Sequence, residues 1–309
     1  MVVDEMSQPW SPEQVISEKR ASRIIENQFP EFKPVAVKVL GEGFDNSVFL
    51  VNNRYVFRFP RREMAAHLIQ TENRLLPVLA PLLPIPVPNP QFQGIPEDQY
   101  PWPFGGYTIL LGKTPTNLTL EQRMSSVEPL ARFLLTLHNF PIIDAEKLQI
   151  PYDQLGRINI TKRKPMLEAN IESAREKGLI DLDAVEPLQF FLSSVEKPLE
   201  DETKTLVHGD LHIRNMLVNE DGIVSAVIDW GDTHIGHPAI DLSIVYSFLP
   251  AEGREHFFKI YGDVQPEIKK IARFKAIYTN VILLLYADDQ KDDELVNECR
   301  STLFLALNG

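Results

Sequence analysis

Cysteine is nearly absent: Cys299 is the only one in 309 residues. No internal disulfide can form, and a zinc site built from cysteines is excluded, which fits a reducing compartment. Positive charge is in deficit, with 31 Lys and Arg against 43 Asp and Glu and a net charge of −12. That balance argues against a nucleic-acid partner, because binding to phosphate backbones rests on Lys and Arg. Long apolar runs are missing too. The longest, "VILLLY" from Val281 to Tyr286, falls far short of the ~20 residues of a membrane span. The opening "MVVDEMSQPW" carries acids where a secretory signal needs a basic region and then an apolar one. These absences predict a cytoplasmic protein with no nucleic-acid and no membrane partner. No repeat or low-complexity tract is visible, and 44% apolar with 24% charged residues is the composition of a globular enzyme or binder. The length suits one large domain or two ordinary ones.

The chain changes character near residue 110. "SPEQVISEKRASRIIENQF" opens on a Ser-Pro start signal and carries apolar residues at helical spacing, which predicts an amphipathic helix. "PVAVKVL" alternates with period two, "GEGFDNS" breaks it, and "VFLV", "NNR", "YVFRF" read as strand, tight turn and strand. A helix is predicted from Arg61 to Ala80. Prolines 84, 86, 88 and 90 hold the next segment extended, and "GYTILL" reads as one more strand. Beyond Gly112 helical patterns dominate: "SSVEPLARFLLTLHNF", Lys164 to Lys177, Ala184 to Ser194, and several after Gly253. Acidic charge follows the same division, with 10 basic and 12 acidic residues in 1–112 but 21 and 31 in 113–309. A solubilising surface is the plain reading of that excess, and attraction of a cation the sharper one.

Within the helical part, "VHGDLHIRNMLVNEDGIVSAVIDWGD" (Val207 to Asp232) crowds polar groups between short apolar runs. "MLV" and "VSAVI" read as two strands turning at "NEDG", so Asp210, Asn215 and Asp229 should return to one end of a hairpin. A carboxylate and an amide oxygen brought together suit a hard cation such as Mg²⁺. A further carboxylate can orient a hydroxyl and accept its proton.

"HGDLHIRN" followed by "VIDWGD" resembles the catalytic loop and metal-binding aspartate of the aminoglycoside phosphotransferase family, small-molecule kinases related to protein kinases. The resemblance implies an α+β, bilobed protein-kinase-like fold, with a small β-rich N-terminal lobe (1–108), a hinge (109–112) and a larger, mostly helical lobe (113–309). It implies Asp210 as catalytic base, with Asn215 and Asp229 as Mg²⁺ ligands. ATP or GTP is then the phosphoryl donor. "YVFRFPRR" falls where such kinases carry a strand lysine for the nucleotide phosphates. This chain has Arg58 there, and Glu72, fourteen residues on, is its implied partner. Arginine keeps the charge but not the lysine geometry. "GEGFDNS" sits where a nucleotide loop belongs, making Gly43, Asn46 and Ser47 candidates for phosphate contact, although it lacks a third glycine and is no P-loop. "GYTILLG" resembles the connection between lobes, where backbone groups of Ile109 and Leu111 would meet the base. Asp241 matches an aspartate that braces the catalytic loop, while His237 stands where an aspartate is common. His138 reads as a core or helix-end histidine, and His212 as a contact to backbone or phosphate rather than metal. Acceptor residues in this family come from the helical lobe and cannot be matched one by one.

Two other classes are open to the residues alone. "GDLH" and "GDTH" both offer Asp-x-His, as a two-metal phosphoesterase would, but the Asn-His pair such sites also use is missing. A catalytically silent kinase-like module would be expected to lack the base or a metal ligand. The reading is therefore a Mg²⁺-dependent phosphotransferase acting on a hydroxyl of a small acceptor, with an aminoglycoside first, then a macrolide or a metabolite alcohol. The cationic acceptor rests on the run Asp288, Asp289, Asp292, Asp293 and Glu294, in a helical stretch placed to reach the cleft.

Overall fold

In chain order the elements are α1 (Glu18–Gln28), β1 (Val37–Glu42), β2 (Asn46–Val51), β3 (Tyr55–Pro60), α2 (Glu63–Leu79), β4 (Phe92–Gly94) and β5 (Phe104–Thr108). Then follow α3 (Leu120–Ser125), α4 (Val127–His138), α5 (Ile142–Lys147), α6 (Ile160–Glu176), α7 (Leu182–Ser193) and β6 (Thr205–Val207). The chain ends through β7 (Met216–Val218), β8 (Val224–Val227), β9 (His234–Gly236), α8 (Ala239–Phe248), α9 (Ala251–Tyr261), α10 (Pro266–Gln290) and α11 (Asp293–Leu307). This computed structural model describes residues 12–43, 45–98, 100–195 and 201–308. The chain divides into two units, Met1–Leu82 with Val87–Leu110, and Leu83–Pro86 with Leu111–Gly309.

The first unit is an antiparallel sheet in the order β1-β2-β3-β5-β4. The β2–β3 hairpin turns through Asn52 and Asn53 at φ of 50° and 53°, the left-handed pair that a tight hairpin needs and that asparagine tolerates. One face of the sheet buries Phe49, Phe57, Phe59 and Phe104 against Ile24 and Ile25 of α1. Phe59 and Phe104 stack with centroids 4.3 Å apart, which fixes the β3–β5 register from the side-chain side.

Three expectations shift here. The Ser-Pro start is not the helix start: Ser11 lies outside the described residues, and α1 begins at Glu18 with the Ser17 hydroxyl accepting from the Arg20 amide at 3.3 Å. The preceding residues are drawn elsewhere, since the Glu13 and Gln14 amides both donate to the Arg61 carbonyl. The alternation in β1 fails at its end, where Val39 and Leu40 are both about half exposed and a bulge shifts the register between Val39 and Gly41. Strand β5 stops at Thr108 rather than running to Leu111.

The second unit is helical around α8, all ten of whose residues are buried. A helix wrapped on every side shows no amphipathic period, so "AIDLSIVYSF" gave no signal in the sequence. Helices α10 and α11 pack on it. Strands β7 and β8 form the expected hairpin, Met216 opposite Val227, and β6 pairs with β9. Cys299 is buried in α11. No helix of the described residues is long and apolar enough to cross a membrane.

Candidate active site

The β7–β8 hairpin does what the spacing required. Asn215 enters β7, and the Ile228 amide at the end of β8 donates to the Asn215 carbonyl at 2.9 Å. Asp229 follows at once, exposed, with φ of +63°. The Asn215 side-chain amide donates to the Asp210 carbonyl (2.9 Å) and to Asp210 Oδ2 (3.3 Å). With its nitrogen so employed, Asn215 leaves Oδ1, which accepts no hydrogen bond among the described residues. That is the acceptor a hard cation would use, and Asp229 follows β8 at the same hairpin end. Magnesium usually takes one or two protein ligands and completes its shell with water and phosphate oxygens. The donor set fits it.

Asp210 is held in place from three directions. His212 Nδ1 accepts from the Arg214 amide at 3.2 Å, which puts the ring proton on Nε2, 3.2 Å from Asp210 Oδ2. His212 thus contacts backbone and the Asp210 carboxylate. The Asp210 amide donates to His208 Nδ1 at 3.3 Å, and His208 Nε2 donates to the Ile228 carbonyl at 3.0 Å. Only 38% of the Asp210 side chain is exposed. Burial pushes its carboxyl up, but His212, Lys275 and His208 together outweigh that and hold it below the usual carboxylate range. Asp210 is ionised wherever the protein is folded near neutrality.

The loop is braced from beneath by Asp241, at the start of α8. Its fully buried carboxylate accepts from the His208 amide (2.7 Å) and the Gly209 amide (3.0 Å). Behind it stand His138 Nε2 at 3.2 Å and, on the other ring nitrogen, the Tyr261 hydroxyl at 2.7 Å. His138 is therefore a core histidine, as its sequence context suggested, and it supports the loop. His237, in place of the common aspartate, accepts from the amide of Ala239, the first residue of α8, at 3.0 Å.

Three cations of the helical unit make contacts that no motif marked. Arg157 pairs with Asp153 (3.1 Å) and with Asp232. Arg163 of α6 and Lys275 of α10 share the ring of Tyr278, 5.6 and 6.0 Å from its centre. Arg273 and Lys275 are the two charges inside the largely apolar stretch "IARFKAIYTNVILLLY". Members of the acidic run 288–294 also have local roles. Asp288 binds Lys177 at 2.6 Å, Asp292 caps α11 through the Leu295 amide at 3.0 Å, and Asp293 and Glu294 sit in the first turn of α11, where a helix favours acids.

In the first unit, Arg58 on β3 and Glu72 on α2 meet at 2.6 Å with both side chains buried. At the β1–β2 connection the Gly43 amide donates to the Asn46 carbonyl, and Arg61 donates to the Gly43 carbonyl at 2.9 Å. Asn46 and Ser47 are buried, and Asn46 Oδ1 accepts no hydrogen bond among the described residues. Ile109 spends its amide on the Arg54 carbonyl (2.9 Å) and keeps its own carbonyl, while the Leu111 carbonyl accepts from Ser225.

The sequence signature of the phosphotransferase enzyme family matches residues 36–272. The chain belongs to that family. Among solved structures it is similar to a GDP complex of aminoglycoside 2'-phosphotransferase-IIIa, at 24% identity over 94% of this chain and 99% of that one, with a TM-score of 0.66. It is similar too to a streptomycin–ATP ternary complex of APH(2'')-IIa, at 20% identity over 94% and 97% with a TM-score of 0.58. A macrolide 2'-phosphotransferase type I matches at 20% identity over 94% and 98% with a TM-score of 0.57. The fold of this phosphotransferase is accordingly the kinase-like one.

Proposed function

We propose that this phosphotransferase moves the γ-phosphoryl group of ATP or GTP, bound with Mg²⁺, to a hydroxyl of a small molecule. The carrying observation is the Asp210 carboxylate, hydrogen-bonded by Asn215 and faced by His212, on the loop whose Asn215 and Asp229 share a hairpin end. Asp210 would orient the acceptor hydroxyl and take its proton as the new O–P bond forms. The bond from the γ-phosphorus to the bridging oxygen breaks, and the nucleoside diphosphate leaves. A low-pKa carboxylate is a weak base, which suits a reaction run mainly by positioning and charge stabilisation. Bound at Asn215 Oδ1 and Asp229, Mg²⁺ would neutralise charge on the phosphate oxygens. Arg58, fixed by Glu72, would hold the nucleotide phosphates, Gly43, Asn46 and Ser47 would follow them, and Ile109 and Leu111 would offer backbone groups to the base.

The phosphoesterase reading loses support at Asp232, where the Arg157 guanidinium occupies the carboxylate that a second metal would need. An aminoglycoside acceptor is the second reading. It is favoured by the streptomycin of the ternary complex and by the largely exposed acidic run Asp288, Asp289, Asp292, Asp293 and Glu294. The test is nucleotide consumption with Mg²⁺ across kanamycin, streptomycin, erythromycin, neutral polyols and hydroxy acids, using both ATP and GTP. Phosphorylated product with any acceptor supports the reading. Nucleotide binding without turnover would mean a silent module, and phosphate release from a monoester would mean a phosphoesterase.

A further inference from the structure

Segment 151–157 runs alongside the stretch of chain that follows Asp229. The Ile235 amide donates to the Pro151 carbonyl at 2.7 Å, and the Asp153 amide to the Ile235 carbonyl at 3.1 Å. This is one parallel step on an edge of β9, whose other edge pairs with β6. Asp153 then closes the turn that comes next. Its carboxylate accepts from the amides of Leu155 (3.0 Å), Gly156 (3.1 Å) and Arg157 (2.9 Å). Arg163 of α6 clamps the same turn through the Leu155 (2.8 Å) and Gly156 (3.1 Å) carbonyls. Arg157 is thereby fixed at its base, and its guanidinium spans Asp153 Oδ1 at 3.1 Å and Asp232 Oδ1.

Asp232 lies between the two parts of the site. It comes three residues after Asp229, and its carbonyl oxygen, which accepts from His234 Nδ1 at 2.7 Å, packs on the residue before Asp210. A Cβ on that residue, Gly209, would stand 2.2 Å from it. The ends of the turn are seated in the core by Trp230 and Ile235, both buried. Asp232 itself is half exposed, and among the described residues its carboxylate has one hydrogen-bond partner, Arg157. An ion pair with one side chain 48% exposed adds little to stability. Its effect lies in where it holds the chain.

We infer that Arg157 is a positioning residue for phosphoryl transfer: by pinning Asp232 it fixes the turn that presents Asp229 and seats that turn against the base loop at Gly209. This rests on the phosphotransferase reading of Asp210 and Asp229. The planar fork of an arginine can reach two carboxylates at once in a set geometry, which a lysine ammonium does not reproduce. Groups that orient metal ligands without touching the metal commonly carry about 10–100-fold of the metal affinity.

The test uses the full chain and a non-hydrolysable ATP analogue, titrated calorimetrically with and without Mg²⁺. The quantity read is the factor by which Mg²⁺ tightens analogue binding. Arg157→Ala should lower that factor about tenfold, the lower end of what such supports carry. Its Mg²⁺-free affinity and melting temperature should stay nearly unchanged. Arg157→Lys should recover part of the factor, since it keeps a charge for Asp232 but loses the fork. Asp232→Asn should lose as much as Arg157→Ala, and the double variant no more than either, because the two residues act through one contact. Glu298→Gln loses its ion pair with Arg123 rather than one in this turn, and should keep the wild-type factor. The inference is overturned if Arg157→Ala keeps the factor within about twofold, or if the losses of the two single variants add. An equal fall in Mg²⁺-free affinity would assign Arg157 to the nucleotide, and a loss shared by Glu298→Gln would reduce the effect to stability; either overturns it. Wild-type protein whose analogue binding ignores Mg²⁺ would bring down the metal reading of Asp229 itself, and this inference with it.

Discussion

Asp210 is surrounded by groups that favour its charge while enough of it stays open to meet a substrate. Replacing it with alanine should lower kcat by about 10²–10⁴-fold with little change in nucleotide affinity, measured by steady-state kinetics beside a binding titration. A variant that keeps more than about a tenth of wild-type kcat would remove Asp210 from the role of base. Asp229→Asn should behave differently. It deletes a charged ligand from a site whose other protein donor is the neutral Asn215 Oδ1, so the Mg²⁺ concentration for half-maximal activity should rise. Falling activity with an unchanged Mg²⁺ requirement would show that the cation is held elsewhere.

The loop from His208 to Asn215 has no regular structure until its last three residues, a single 3-10 turn at Ile213–Asn215, and its shape is set by the backbone groups it gives to Asp241 and by one glycine. Gly209 has φ of +88°, and a Cβ there would stand 2.2 Å from the Asp232 carbonyl oxygen. Gly178, after α6, has φ of +69° with open space around it. Gly178→Ala should cost only the left-handed strain of about 1–2 kcal/mol. Gly209→Ala should cost more and abolish activity, because backbone must move at the base itself; thermal melts and kcat on the two variants give the comparison. Asp241→Asn should destabilise by about 1–3 kcal/mol, because an amide cannot replace a carboxylate that accepts two buried backbone bonds. The pH dependence has a definite sign. Burial raises the Asp241 carboxyl, but the His138 and His208 contacts and the Gly209 amide prevail and its folded pKa is lowered. Its contribution is therefore complete above the unfolded value of about 3.9 and fades as pH falls toward the folded one. Denaturation curves should show the gap between wild type and Asp241→Asn widest near neutrality and narrowing in acid. A gap that stays constant through acid would contradict this account.

Across the whole molecule, the helical unit is tied by an ion pair between Arg123 of α3 and Glu298 of α11, each side chain 3% exposed. Glu298 also accepts from the Asn117 amide at 3.1 Å. Glu298→Gln should leave Arg123 buried without its counter-charge and lower stability by about 3–5 kcal/mol, read from urea unfolding. A loss under 1 kcal/mol would show the pair to be solvated. None of this was legible beforehand, since residues 175 apart in the chain share no local pattern. What the sequence determined by itself was whatever depends on neighbours in the chain. The β2–β3 turn follows from two adjacent asparagines, and the β7–β8 hairpin that gathers Asn215 and Asp229 follows from strand length and turn chemistry. The Arg58–Glu72 pair was nameable only because the resemblance supplied the register. Only the tertiary structure decided the rest. It buried α8 on every side and so erased its period, and it drew residues 13 and 14 to Arg61 and moved the start of α1. It placed Asp288 beside Lys177 and Asp292 at the start of α11. Electrostatic partners are chosen by distance in space, and a chain written in one dimension records that distance only for its nearest residues.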